Sequence, residues 1–123
     1  MDKLESNFLN YIETSIAHFT ATSKKLQEQE KVDEANLEKI KKNVYDIFKT
    51  LFNVDKKRIF EKTKDYDLFC LEYLKRFDTI PQNWKISLDN ATKHGDTVNQ
   101  VIEELKLNTA LNIKNEFLKL SKQ

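Results

Sequence analysis

A chain of 123 residues with one glycine, Gly95, and one proline, Pro81, has few means of turning sharply. Glycine supplies the positive-φ geometry of tight turns, and proline marks chain breaks. A sheet protein of this length would spend many of both on its hairpins. The chain is therefore expected to be all-α, with polar connections of ordinary residues. The length suits one domain spanning residues 1–123. Eight phenylalanines, four tyrosines and one tryptophan supply the rings for a packed core. The 33% charged fraction fits helices with one apolar face and a solvated remainder.

Periodicity sets the helices. Leu4, Phe8, Tyr11, Ile12, Ile16, Phe19 and Leu26 predict a first helix over about 2–30. Asp33 is the expected N-cap of a second, carried by Leu37, Ile40, Val44, Ile47, Phe48 and Leu51. Asn53-Val54-Asp55 is read as the break before a third. Ile59, Thr63, Tyr66, Cys70, Tyr73 and Phe77 line that helix, which is taken as unbroken through Asp65-Tyr66-Asp67 because no glycine or proline interrupts it. Ile80 precedes Pro81 and is expected to be extended. A short helix over about 81–93 buries Trp84, Leu88 and Ala91. His94-Gly95-Asp96 punctuates the chain before a last helix over about 97–121. The expected architecture is a four- or five-helix bundle with antiparallel long helices and one short helix before the last.

The last helix is apolar on two sides. Val98, Val101, Ile102, Leu105, Thr109, Ile113, Phe117 and Leu120 make its main stripe, and Leu107, Ala110, Leu111 and Leu118 make a second. A helix apolar on more than one face is either central in its bundle or covered by another chain. The second stripe is taken as an association interface, which makes the protein a non-enzymatic homodimer or the partner of another helical protein.

Nucleic-acid binding is the alternative, through Lys56, Lys57, Arg58, Lys62 and Lys64. The net charge of +1 supplies no global field for an anionic partner, and Arg58 and Arg76 are the only arginines beside nineteen lysines. That lysine excess, with eleven asparagines, suits an AT-rich genome. A small-molecule site near Trp84, with Tyr73, Phe77 and Phe117, is a further alternative; those rings equally suit a core.

No catalytic or cofactor motif is present. Glu103 and Glu104 are adjacent, so they diverge on a helix. One glycine cannot build a phosphate loop. His18 and His94 lack a second ligand at helical spacing, so no metal is expected. Cys70, the only cysteine, reads as a buried, inert thiol. No apolar run is long enough for a membrane span, and the charged start Met1-Asp2-Lys3 does not resemble a signal peptide, so a cytoplasmic location is expected.

Overall fold

A computed structural model describes residues 1–123, and it is an all-α helical bundle without strands. Its helices are α1 (Asp2–Glu28), α2 (Val32–Asp55), α3 (Tyr66–Thr79), α4 (Gln82–Lys93) and α5 (Thr97–Ser121). None is long and apolar enough to cross a membrane. The chain runs up α1, down α2, up α3 and α4 in sequence, and down α5. Lys56 pairs with Glu5 at the lower end, and the Tyr66 hydroxyl donates to the Ser121 carbonyl there (2.8 Å). At the upper end Gln100 Nε2 donates to Thr92 Oγ1 (3.3 Å). The α1–α2, α2–α3 and α4–α5 neighbours are thus antiparallel, whereas α2 and α5 run parallel.

The first helix ends at Glu28, two residues short of the sequence expectation. Glu30 then takes left-handed geometry (φ 63°), and Lys31 N–H donates to Leu26 O (2.9 Å) to close the helix. Asp33 is not the cap of α2: the helix starts at Val32 with no side-chain cap. Asp33 lies in the first turn, where its charge complements the helix dipole. The buried Ser23 hydroxyl donates to Ala35 O (3.0 Å) and ties the two helices beside the turn.

A non-glycine residue in left-handed geometry costs about 1–2 kcal/mol. Glu30→Gly is therefore expected to raise stability by about 0.5–1 kcal/mol after the added freedom of the unfolded chain is subtracted. Thermal unfolding checks this, with Gln29→Gly as the control at a negative φ that should bring no gain.

The break expected at Asn53-Val54-Asp55 is absent. Both polar residues resemble caps, but Asp55 is fully buried and held by Arg76, and the helix runs on. It widens into a π-helical turn (Lys56–Phe60), where Glu61 N–H reaches back to Lys56 O, and finishes over Glu61–Thr63. The true break falls at Lys64 (φ 56°). Asp65 follows as the N-cap of α3, its Oδ1 accepting from Leu68 N–H (3.0 Å). The expectation of one unbroken helix through Asp65-Tyr66-Asp67 is thus overturned by an Asp cap that needs neither glycine nor proline.

Ile80 is also not extended. Its φ of −64° and ψ of −45° are helical, and Pro81 is helical too. The pre-proline clash disfavours this geometry without forbidding it. Ile80 packs against the core and its N–H donates to Arg76 O (3.0 Å), contacts that hold it there. Helices α3 and α4 are consequently two segments of one rod with a joint at Ile80–Pro81. Gly95 (φ 66°) and the Asp96 cap, whose Oδ1 accepts from Asn99 N–H (3.2 Å), start α5 at Thr97 as the sequence predicts.

The core is a knot of rings. Tyr73 is fully buried, with its ring centroid 4.8 Å from that of Phe117, 5.4 Å from Phe52 and Phe77, and 5.9 Å from Phe8. Its hydroxyl donates to Phe48 O (2.7 Å), so the one polar atom in this knot is satisfied. Phe48 and Phe77 stack at 4.3 Å and join α2 to α3.

Candidate functional site

The apolar stripe of α2 continues above the aromatic knot as Leu37 and Ile40, and that of α5 as Val98, Val101 and Ile102. In the lower half α3 packs on both α2 and α5. Above the Ile80–Pro81 joint, α4 packs chiefly on α5. The upper ends of both stripes are therefore left uncovered by the third rod. They line an open groove of about 400 Å³ together with Asp33 and Asn36. Val98 is 69% exposed, Val101 51%, and nearby Val32 56%. Single exposed apolar side chains are ordinary, but a lined groove of them marks an interaction surface.

Acidic side chains outnumber basic ones here: Asp33 lines the groove, and Glu34, Glu38 and Glu104 line the adjoining depression with Lys41. Residues 32–38 carry Asp33, Glu34 and Glu38 and no cation, and residues 96–104 carry Asp96, Glu103 and Glu104 and no cation. Glu38 is paired with Lys41 (2.9 Å) and Glu103 with Lys106 (3.2 Å). Asp33, Glu34 and Glu104 make no ion pair.

The residues singled out as an interface lie elsewhere. Ala110 belongs to the chain's own core and cannot offer a contact face. Leu107 and Leu111 border a separate depression of about 280 Å³ beside Pro81 and Lys85, and of these two leucines only Leu111 is strongly exposed, at 52%. Leu118 is half-buried. Helix α5 packs on all four other helices, which accounts for Ala110 in its second stripe but leaves Leu111 exposed. Sequence reasoning assigned Val98, Val101 and Ile102 to the core. The one local signal is the absence of lysine and arginine from residues 96–104, since Lys39 interrupts the segment on α2.

Three of the five cations in the basic segment are engaged by the chain's own groups. Lys56 pairs with Glu5, which raises its pKa. Arg58 reaches Asp55 (3.3 Å), and Lys64 sits over the Phe60 ring (5.8 Å). Lys57 and Lys62 remain exposed without an ion pair. The π-helical turn widens the helix through the middle of this run. Both arginines of the chain converge on Asp55: Arg76 Nε and an Arg76 terminal nitrogen donate to its two oxygens at 3.1 and 2.8 Å, and Arg58 adds the third bond. The Asp55 carboxylate raises the Arg76 pKa in turn.

Around Trp84, the rings of Tyr73, Phe77 and Phe117 are core, and Trp84 is half-buried at its edge. Cys70 is half-buried; burial pushes its thiol pKa up, and the hydroxyl of neighbouring Tyr66 is pushed up to about 12 by burial and by the thiol. The thiol is therefore held in its weakly nucleophilic protonated form. His18 and His94 are both exposed, and no three His, Cys, Asp or Glu side chains converge as metal ligands would. Comparison with protein-family models, with curated proteins and with solved structures finds no match.

Proposed function

We propose that this protein is a non-enzymatic association module whose acidic upper groove receives a cationic amphipathic helix of another protein. The observation that carries the reading is the pair of core stripes, Leu37–Ile40 and Val98–Ile102, left open where α4 departs from α2. A helix laid in the groove would restore the cross-section that the lower half of the bundle completes with α3. Helix-in-groove recognition reads apolar side chains at three- and four-residue steps. Asp33, Glu34 and Glu104 favour lysines or arginines along the flanks of that helix, because complementary charge speeds encounter and sets register. A second copy of this chain would bring the same acidic end, so a symmetric pairing across the groove would set like charges against each other. The chain's own basic run lies at the opposite end of α2.

Two labelled helical peptides test this, one alternating leucine with lysine on an amphipathic pattern and one with glutamate in place of lysine. The lysine peptide is expected to bind with a Kd of roughly 10–100 μM by fluorescence anisotropy, and the glutamate peptide at least ~10-fold more weakly. Val98→Ser with Val101→Ser removes apolar contact without changing charge and should weaken binding ~10-fold, while Leu111→Ser should leave it unchanged. Equal binding of both peptides, or indifference to the double substitution, would refute the groove. A concentration-dependent dimer in sedimentation, abolished by Leu111→Lys, would instead make the Leu107–Leu111 depression the working surface.

A further inference from the structure

The upper half of the α1–α2 hairpin carries an open cleft of about 380 Å³ that no apolar side chain lines. Helix α1 presents Thr20, Lys24 and Gln27 to it, at the three- and four-residue steps that share a helix face. Helix α2 presents Lys39, Lys42 and Asn43. Ser23, the buried member of the lining, donates to the Ala35 carbonyl (3.0 Å) and fixes the two helices against each other. The cleft shares no lining residue with the groove between α2 and α5 and stands independent of it.

Its charge is one-sided. Residues 14–27 hold no Asp or Glu, and neither do residues 39–45. Glu38 is paired with Lys41 and lines the depression on the other side of α2. Asp46 takes Lys42 (2.6 Å), while Lys24 and Lys39 are exposed and make no ion pair. Glu28, one turn beyond Lys24, makes none either. Elsewhere the chain sets an acid three residues from a lysine, as in Glu38–Lys41, Glu72–Lys75 and Glu103–Lys106. Here the same spacing holds two lysines, Lys39 and Lys42, and the facing helix adds a third. Like charges at that spacing destabilise a helix. The fold thus keeps a repulsive trio around a concavity, and an anion seated among them would relieve it.

The lining also selects the class of anion. No ring is present to stack a base, and no apolar wall to receive an acyl or aromatic group. The donors are ammonium groups on both helices, with the Gln27 and Asn43 amides and the Thr20 hydroxyl beside them. A compact anion with more than one charge engages both helices at once. We propose that the α1–α2 cleft binds a small diphosphate-bearing anion, with Lys24 and Lys39 as its principal partners and Lys42 shared with Asp46.

Calorimetric titration of the whole protein with sodium pyrophosphate tests the assignment. Saturable binding with a Kd of roughly 0.1–1 mM is expected, with none for sodium chloride at matched ionic strength. ADP should bind no more tightly than pyrophosphate, and a clear preference for ADP would overturn the diphosphate as the group recognised. Lys24→Gln with Lys39→Gln is expected to weaken binding at least ~10-fold. By relieving the repulsion, the same variant should raise Tm in chloride buffer by about 1–2 °C. Lys57→Gln with Lys62→Gln removes as much charge beyond the other end of α2 and should leave binding unchanged. Silence toward pyrophosphate, an equal loss in both double variants, or a lower Tm in the Lys24 and Lys39 variant would overturn the proposal. Sedimentation with phosphatidylserine vesicles, without any response to pyrophosphate, would overturn its small-ligand form and assign these lysines to a membrane surface.

Discussion

Asp55→Ala is expected to lower stability by about 3–5 kcal/mol, the range for removing one partner of a buried ion pair. Asp55 is fully buried, and three N–H donors from two arginines surround its carboxylate. Without it, Arg76 keeps its charge in a partly buried position and loses both of its hydrogen-bonded acceptor oxygens. Arg58 is about half exposed and can turn to water, so Arg76 carries most of the loss. A domain of this size has a total stability of about 5–15 kcal/mol, so the variant approaches unfolding at ordinary temperature. Replacing the pair together, as Asp55→Leu with Arg76→Met, removes both charges and should recover most of that loss. Urea unfolding of the single and double variants makes the comparison. A double variant as unstable as the single one would show that shape at this site matters more than charge.

Phe8→Ala is expected to cost about 3–5 kcal/mol and to lower Tm by roughly 10–20 °C. Phe8 has no exposed surface, and its ring stands 5.2 Å from those of Phe52 and Phe117. One side chain of α1 thereby bridges α2 and α5, and its removal leaves a hole among their rings. Calorimetric melting reads the shift, and a loss below about 1 kcal/mol would mean that the core can collapse around the gap.

The helical architecture was legible because it rests on the scarcity of glycine and proline and on the spacing of Phe8, Phe48, Tyr73 and Phe117, which local pattern reveals. The bounds of α5 were also legible, since Gly95 and Asp96 act through their own backbone and nearest neighbours. The misread positions share a physical cause. Asp55 resembled a cap, and only a partner at position 76, distant in sequence, makes it a core residue. Ile80 was read from a local steric preference that packing overrode. The candidate groove was hidden for the same reason: periodicity marks Val98 and Val101 as apolar-facing but cannot say where α4 leaves them bare. Ala110 completes a stripe in the sequence, although in the fold it is buried while Leu111 of the same stripe is exposed.

The contact between Phe8 and Phe117 also bears on how the chain is made. A ribosome delivers the first of these rings long before the second. Until the last helix emerges, the sides of Phe8 and Tyr73 that Phe117 covers stay open. Nascent chains that display such surfaces are the ones chaperones attend. Synthesis halted before α5 therefore leaves a sticky intermediate, and translation through residues 97–121 is the interval that decides between a finished molecule and an aggregate.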